Sequence, residues 1–178
     1  IDIYNINNGK IKWKIFLKKE YDKLYVNSYF KLGGCNPWGG ISADIKREIV
    51  YITTGNAQPD YFGKRRLGKN KYCNSIIAVD IKNKKKLFDF QEIEHDVWNR
   101  DIASPPILGS IKKNGKDIDS VIVMSKTGNI ITLDRTQGKP IFDLRFRKGD
   151  SIDTENSYYL DLEKPQPVAN YDFLISDL

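Results

Sequence analysis

The sequence contains few of the residues that usually carry metal or nucleophilic chemistry. Its 178 residues include two cysteines and one histidine, and no Cys-x-x-Cys pair is present. Zinc sites are built from clustered cysteine and histidine ligands, so the sequence argues against a zinc centre. Cys35 and Cys73 could form one disulfide, but the sequence leaves open whether they meet and which redox compartment the chain occupies.

Long apolar segments and long amphipathic helices are also missing. No apolar run approaches the ~20 residues that a membrane-spanning helix needs. No long window keeps the apolar spacing of a helix without an interrupting Gly or Pro. The chain does not begin with Met and opens in a strand-like run, so we expect a piece of a longer protein and draw nothing from a missing leader segment.

The charge pattern is not that of a nucleic-acid-binding protein. The net charge is +6, from 29 basic and 23 acidic residues. Most basic residues are lysines spread through turns such as 82–86. Nucleic-acid-binding surfaces usually gather arginine and aromatic residues on one element. We therefore expect a solvated, lysine-rich surface and no nucleic-acid partner.

Short β-branched runs predict an all-β protein. Clusters of Gly, Asn, Asp and Lys separate these runs, as turns separate strands. The clearest runs are residues 49–54, 75–79, 120–124 and 129–133.

A turn motif occurs three times along the chain. An Asn or Asp is followed four residues later by Gly, or by Lys in the second copy, and eight residues later by an aromatic residue. We interpret the motif as a hairpin whose first side chain caps the turn, whose fifth residue takes a positive φ, and whose ring packs between neighbouring sheets. Lysine at the positive-φ position should be slightly strained. The copies are Asn5/Gly9/Trp13, Asp80/Lys84/Phe88 and Asp134/Gly138/Phe142.

Sheets that repeat with one aromatic residue each are typical of β-propeller blades. The predicted fold is therefore a β-propeller of four-stranded antiparallel blades. A β-sandwich is the alternative, but it would not explain the recurring turn and ring. We assign residues 1–17 to the end of one blade, 18–91 to a blade with a long insert, 92–147 to the next blade, and 148–178 to the start of a following blade or loop.

Four short polar segments stand beside the predicted strands. They are Asn36–Gly39, Thr54–Asn56, His95–Asp101 and Lys126–Asn129. Together they offer a flat aromatic ring, amide and carboxylate oxygens, and one cation. A planar anionic cofactor with a hard metal ion would need this combination.

With these segments and the repeat, the chain resembles the pyrroloquinoline quinone (PQQ)-dependent dehydrogenases, especially the membrane glucose dehydrogenase and related sugar and alcohol dehydrogenases. The likeness runs from about residue 33 to 146 and depends most on 49–56 and 95–98 in combination. It implies that the chain forms about three blades of an eight-bladed propeller, with PQQ and Ca²⁺ or another hard cation as cofactors. It also implies oxidation of a sugar or alcohol by hydride transfer to the quinone, a quinone or cytochrome as electron acceptor, and a periplasmic location.

The resemblance implies roles for single residues. Trp38 matches the tryptophan that lies flat on the quinone ring system, and Asn56 matches the amide ligand of the calcium ion. Lys126 matches the cation that hydrogen-bonds the quinone oxygens, where it would stabilise the developing negative charge. Each residue also has an ordinary alternative role. Trp38 could be a ring buried between blades, Asn56 a turn residue, and Lys126 a lysine at the end of a hairpin.

The chain departs from the family pattern at Asn99. The family places its catalytic aspartate directly after the tryptophan of the His-Asp-x-Trp segment, and a neutral amide cannot take the hydroxyl proton of the substrate. Asp101 could be a substitute base, because it lies on the same side as Asn99 if the segment is extended. Asp101 could instead be a metal ligand, with Asn56 and Asn99. A third possibility is a non-catalytic propeller that serves as a binding or assembly scaffold.

Two further expectations concern the neighbouring loop and the sheet edges. His95 and Asp96 invite a hydrolase interpretation, but no Gly-x-Ser-x-Gly motif accompanies them. We expect them to fix the loop that presents Asn99 and Asp101. Blade edges without neighbours are expected to promote self-association of the chain.

Overall fold

The computed structural model describes residues 2–14, 33–63, 66, 68–148 and 165–168. The predicted boundary at 17/18 and most of the segment 148–178 lie outside these residues. The described strands are β1 (Asp2–Tyr4), β2 (Ile11–Lys14), β3 (Ile41–Asp44), β4 (Ile49–Thr53), β5 (Ser75–Asp80), β6 (Lys85–Gln91), β7 (Ile107–Lys113), β8 (Lys116–Met124), β9 (Ile130–Asp134), β10 (Arg145–Lys148) and β11 (Pro165–Val168).

The strands form antiparallel sheets in which chain neighbours are also sheet neighbours. One sheet has four strands in the order β3-β4-β5-β6, and the next has three in the order β7-β8-β9. Strands β1 and β2 form a hairpin, and β10 and β11 form another. Beyond β9, Ile141 donates its backbone N–H to the Thr132 carbonyl, which extends the second sheet. The prediction of an all-β chain with a four-stranded antiparallel unit is confirmed.

The repeated turn has the predicted geometry in all three copies. Each Asn or Asp side chain accepts a backbone N–H from its own turn, from Asn7, Asn83 and Thr136 respectively. The fifth residue has a positive φ each time, +65° at Gly9, +56° at Lys84 and +71° at Gly138. Lys84 therefore holds the left-handed conformation that favours glycine.

A fourth turn of this kind joins β3 to β4, and sequence analysis did not find it. Asp44 accepts the backbone N–H of Arg47 at 3.1 Å, and Glu48 has a φ of +55°. This copy has neither a glycine at its fifth position nor an aromatic residue eight positions after Asp44, where Ile52 stands.

An apolar core joins the two larger sheets. Buried side chains from both sheets form it together with Ile102 from the loop between β6 and β7. The sheet residues are Ile49, Tyr51, Ile76, Ala78, Val121, Val123, Ile131 and Leu133. Gly138 packs directly on the Phe88 ring, since a Cβ at this glycine would lie 2.4 Å from Phe88 Cγ. The predicted ring between sheets is thus present in the second copy. Phe142 instead is 47% exposed, and the Trp13 side chain lies outside the described residues.

Four charged residues also link the two sheets. Arg47 pairs with Asp44 and Asp119, while Arg135 lies 3.6 Å from Asp44 and 3.2 Å from Asp119. The hydrogen bond from Arg47 lowers the pKa of Asp44, and the one from Arg135 lowers the pKa of Asp119. Burial raises the pKa of Tyr51 to about 12, and its hydroxyl donates to the Arg135 carbonyl at 2.9 Å.

A disulfide joins Cys35 to Cys73, two residues that stand 38 positions apart in the chain. It connects the segment before β3 to the loop before β5, a pairing that the sequence left open. In the described part of the chain, no helix has both the length and the apolar character needed to cross a membrane.

Candidate functional site

Loops from both larger sheets meet at an open cavity of about 210 Å³. Its wall is built from the segment before β3, the loop after β4 and the loop between β6 and β7. Four of the predicted site residues line it, namely Trp38, Asn56, Asn99 and Asp101. The fifth, Lys126, lies on the turn between β8 and β9 and reaches the cavity through Asp101.

Asp101 is the central side chain of the site. It is 5% exposed, and its two carboxylate oxygens accept hydrogen bonds from different elements. Asp101 Oδ1 accepts the backbone N–H of Asn56 at 2.5 Å, and Oδ2 accepts the Lys126 ammonium at 2.5 Å. Asp101 therefore connects the loop after β4 to the turn after β8.

The Lys126 ammonium lies among three groups. Besides Asp101, it donates to the backbone carbonyl of Asn99 at 3.3 Å. It also lies 5.3 Å from the ring centroid of Trp38, within the range of a cation–π interaction. The Trp38 side chain is 56% exposed, so the indole offers a flat face beside a fixed positive charge.

Gly55 permits this close arrangement, and the sequence argument assigned it no role. A Cβ at Gly55 would lie 2.7 Å from both Trp38 Nε1 and Asp101 Oδ1. Any side chain there would push the indole and the carboxylate apart. The signal was available in the Thr-Gly-Asn segment, but only the three-dimensional contact shows what the glycine does.

The segment around Asn99 is bent rather than extended, so the condition under which strand alternation would place Asn99 and Asp101 on one side is not met. Asn99 has a φ of +57°, in the left-handed region that asparagine tolerates better than most residues. Strand alternation therefore does not place Asn99 and Asp101 on one side. Both line the cavity because the turn brings them there.

Asp96 closes this turn, as expected from the His-Asp pair. Its carboxylate accepts the backbone N–H groups of Trp98 at 2.8 Å and Arg100 at 2.6 Å, and the Asn74 amide at 2.9 Å. Burial raises the pKa of Asp96, and the three hydrogen bonds act in the opposite direction. His95 packs nearby, with Nδ1 2.8 Å from the Gly68 carbonyl oxygen.

Arg66 is a supporting residue that sequence reasoning missed. It is fully buried, and its guanidinium donates to the backbone carbonyls of Pro59 at 3.1 Å, Asp60 at 2.6 Å and Asp96. It thus ties the loop beside Asn56 to the loop beside Asn99. Nothing in the sequence separates Arg66 from the other basic residues of the chain.

The side chains around the cavity offer the type of ligand that a hard cation prefers, but they are too few to complete its coordination. Asn56, Asn99 and Asp101 offer only oxygen and amide groups, which suits calcium-like ions, but calcium takes six to eight oxygens. No group of three or more His, Cys, Asp or Glu side chains suited to a metal occurs in the described ranges. Further ligands would have to come from the cofactor or from elsewhere in the protein.

Comparison with known proteins gives a consistent result. The family model described as "PQQ: Glucose/ethanol/alcohol dehydrogenase, beta-propeller domain" matches residues 1–175. The chain is 36% identical to quinoprotein glucose dehydrogenase A of Acinetobacter calcoaceticus over 143 residues, which cover 78% of the chain and 18% of that protein.

Two solved structures share its architecture. The quinohemoprotein alcohol dehydrogenase of Comamonas testosteroni is 27% identical with a TM-score of 0.57, over 77% of this chain and 20% of that one. A europium-containing methanol dehydrogenase is 25% identical with a TM-score of 0.59, over 77% of this chain and 23% of that one. The chain thus spans about a fifth of the length of the relatives it matches.

Proposed function

The chain belongs to the family of PQQ-dependent dehydrogenases, and on that premise we propose that it forms part of the cofactor site of an enzyme that oxidises a sugar or an alcohol. The propeller fold predicted from the sequence is confirmed by the family match and the solved structures. The relatives named above are dehydrogenases of glucose, alcohol and methanol.

One observation carries the proposal. Trp38, Asn56, Asp101 and Lys126 come from four separate segments of the chain and meet at one cavity. A turn asparagine or a hairpin-end lysine with an ordinary structural role would not need to meet an exposed indole and a buried carboxylate. The convergence supports a binding site for a flat anionic group.

The residues present fit PQQ. When bound, PQQ supplies the two-electron acceptor for hydride from the substrate carbon. Trp38 offers a flat apolar face for a rigid ring system. Lys126 offers a fixed cation, which stabilises negative charge on a neighbouring oxygen more effectively than mobile water does. Asp101 holds the ammonium in place through its Oδ2 atom.

We assign Asn56, Asn99 and Asp101 as candidate ligands of Ca²⁺ or another hard cation. The carboxylate of Asp101 would then serve the metal and Lys126 together, while the two amides contribute neutral oxygens. Removal of the metal by a chelator should therefore weaken cofactor binding, because the amide ligands alone cannot neutralise an anionic cofactor.

Proton removal from the substrate is the step for which this chain is least equipped. Asn99 occupies the position of the family base and cannot accept a proton. Asp101 is the substitute base we propose, but both of its oxygens already accept hydrogen bonds. General-base catalysis contributes roughly 10²- to 10⁴-fold, so turnover should be slow relative to a family member with aspartate at this position.

The lack of a free base at the cavity favours a second candidate function, a non-catalytic propeller that serves as a binding or assembly scaffold. Asn99 supports it, and so does Asp101, because both of its carboxylate oxygens already accept hydrogen bonds. The exposed Trp38 ring and the nearby Lys126 ammonium instead support a retained cofactor site. The two candidates differ in turnover and agree in fold.

The test is reconstitution of the protein produced from its complete reading frame. PQQ and Ca²⁺ are added, binding is followed by tryptophan fluorescence, and dye reduction is followed with aldoses and primary alcohols. We expect binding at micromolar PQQ and slow, metal-dependent dye reduction. Absence of binding would contradict both the proposed cofactor and the enzyme, whereas binding without turnover would favour the scaffold.

We also propose a periplasmic location and a quinone or cytochrome as electron acceptor. The Cys35–Cys73 disulfide supports an oxidising compartment, because structural disulfides are rare where thiols are kept reduced. Self-association through uncovered sheet surfaces is a further proposal. Ile107, Met124 and Ile130 on the second sheet support it, since each is about half exposed.

A further inference from the structure

A buried glutamate accepts hydrogen bonds from the turn that carries Lys126. Glu92 follows β6 directly and is 3% exposed. Its Oε1 accepts hydrogen bonds from Ser125 Oγ at 2.8 Å, Thr127 Oγ1 at 2.7 Å and Asn129 Nδ2 at 3.1 Å. These three donors surround Lys126 in the sequence, and Glu92 comes from the neighbouring sheet. One carboxyl oxygen thus holds the turn from both sides of the lysine.

The second carboxyl oxygen of Glu92 and the amide oxygen of Asn129 indicate the protonation state of Glu92. Glu92 Oε2 and Asn129 Oδ1 are both buried, and neither has a hydrogen-bond partner among the residues that the structure describes. A buried carboxylate oxygen and a buried amide oxygen without donors are both unfavourable. A neutral carboxylic acid has one O–H, and an acid paired with a primary amide can donate to the amide oxygen while it accepts from the amide nitrogen.

The electrostatic surroundings agree with a neutral acid. Burial is the main cause that raises the pKa of Glu92, and the nearby Asp96 carboxylate raises it further. The hydrogen bonds from Asn129, Thr127 and Ser125 act in the opposite direction without reversing the shift.

We propose that Glu92 is the positioning residue of Lys126: a neutral, buried carboxylic acid that holds residues 125–129 so that the ammonium stays beside Trp38 and against Asp101. The inference rests on the proposed function, because Lys126 matters only if the cavity binds a cofactor. Glu92 does not touch the cavity itself. It acts through the turn.

The turn needs this support because its own backbone bonds are few. Ser125 N donates to the Asn129 carbonyl at 3.1 Å, Gly128 N donates to the Ser125 carbonyl at 3.1 Å, and Lys126 N donates to the Asp101 carbonyl at 3.0 Å. Lysine has a long flexible side chain, so the position of its ammonium depends on the position of its backbone. Loss of Glu92 removes an acceptor that lies within hydrogen-bond distance of three side chains of the turn, and leaves the contact of 2.5 Å between Ser125 Oγ and Thr127 Oγ1.

The experiment compares two variants of Glu92 in the protein produced from its complete reading frame. Glu92→Gln keeps the acceptor oxygen and replaces the acid O–H by an amide N–H, so it mimics the neutral acid. Glu92→Ala removes all the bonds. Asp117→Ala, at an exposed acidic residue of β8, is the matched control. The readouts are PQQ affinity by tryptophan fluorescence with excess Ca²⁺, and hydrogen exchange of the backbone amides of 125–129 without cofactor.

We expect Glu92→Gln and Asp117→Ala to bind PQQ within about twofold of the parent protein. Glu92→Ala should bind about tenfold more weakly or worse, since several net hydrogen bonds are lost, and its 125–129 amides should exchange faster. If Glu92→Ala cannot be purified, Thr127→Val removes one donor and should give a smaller loss of about threefold with faster exchange.

Failure of the inference differs from failure of the proposed function. If the parent protein does not bind PQQ, the proposed function fails, while the exchange rates still test whether Glu92 holds the turn. If the parent binds PQQ and Glu92→Ala, or Thr127→Val in its place, keeps both affinity and slow exchange, only the inference is overturned. If Glu92→Gln loses as much PQQ affinity as Glu92→Ala, the proposal that Glu92 is a neutral acid is overturned.

Discussion

At the residue scale, Asp101 determines the geometry of the candidate site. Its two oxygens accept hydrogen bonds from Asn56 and Lys126, so one buried side chain sets the distance between two loops. Gly55 makes room for this contact, because a side chain there would collide with Asp101 and Trp38. The consequence is an ammonium held beside an exposed indole, which is the feature that a planar anion would recognise.

The first prediction concerns the missing base. Asn99→Asp should raise dye-reduction turnover by roughly 10²- to 10⁴-fold with PQQ and Ca²⁺ present, because a carboxylate at the cavity can accept the substrate proton. Asn114→Asp is the matched control, since Asn114 also has a positive φ of +52° but lies exposed in the β7–β8 turn. Steady-state kinetics measure the effect. Equal turnover in both variants would show that position 99 takes no part in proton transfer.

At the element scale, two of the repeated hairpin turns, those at Asp134 and Asp44, help to join the two larger sheets. In each copy an Asn or Asp caps the turn and the fifth residue has a positive φ, and in one copy the turn glycine rests on a ring of the sheet before it. The fourth copy at Asp44 joins the two sheets by charge instead, through Arg47 and Asp119. The two larger sheets are thus held together through their turns as well as through their core.

The second prediction tests the contact of turn and ring. Gly138→Ala should destabilise the protein by about 1–3 kcal/mol more than Gly115→Ala, because overpacking adds to the cost of a positive φ. Gly115 is a matched control, with a φ of +75° and no atom within 4 Å of its would-be Cβ. Urea unfolding gives both values. Equal losses would show that Phe88 moves aside without cost.

The third prediction concerns acid stability. The folded-state pKa values of Asp44 and Asp119 lie below the ordinary value of 3.8, so these carboxylates stabilise the fold above that pH. Their contribution should be lost as the pH falls from about 4 through the lowered folded-state values. Asp44→Asn keeps the turn cap and should flatten the decline in thermal stability between about pH 4 and pH 2. Asp117→Asn, at an exposed carboxyl, should leave the decline unchanged, and an equal flattening in both would refute the argument.

At the scale of the whole molecule, the described part of the chain is built around the two larger sheets, the core that they share and one disulfide. The disulfide encloses the segment that contains Trp38 and Asn56, so two of the cavity's loops lie inside a closed loop of chain, whereas Asn99, Asp101 and Lys126 lie outside it. Closing a loop of this length restricts the unfolded chain and stabilises the fold by roughly 4 kcal/mol in the chain-entropy treatment.

The fourth prediction follows from that link. The double variant Cys35→Ser/Cys73→Ser should melt at a lower temperature than the parent protein, and reductant should lower the melting temperature of the parent toward that of the variant. Differential scanning calorimetry with and without reductant measures both. Reductant should not affect the double variant, and a parent protein indifferent to reductant and equal to the variant would contradict a stabilising disulfide.

The sequence by itself determined the class of fold, the turn motif and the family. Turn caps, positive-φ positions and β-branched runs are encoded within a few consecutive residues, so they can be recognised without coordinates. The four cavity-lining candidates, Trp38, Asn56, Asn99 and Asp101, could also be named in advance, although their roles stay predictions.

Only the tertiary structure decided how these residues support one another. Four contacts join residues far apart in the sequence. They are the bond between Asp101 and Lys126, the bonds of Glu92 to the turn of Lys126, the bond of buried Arg66 to the Asp96 carbonyl, and the Cys35–Cys73 disulfide. Such contacts depend on how separate sheets and loops pack. The sequence around a single arginine or glutamate does not indicate which distant residue it will contact in the folded protein.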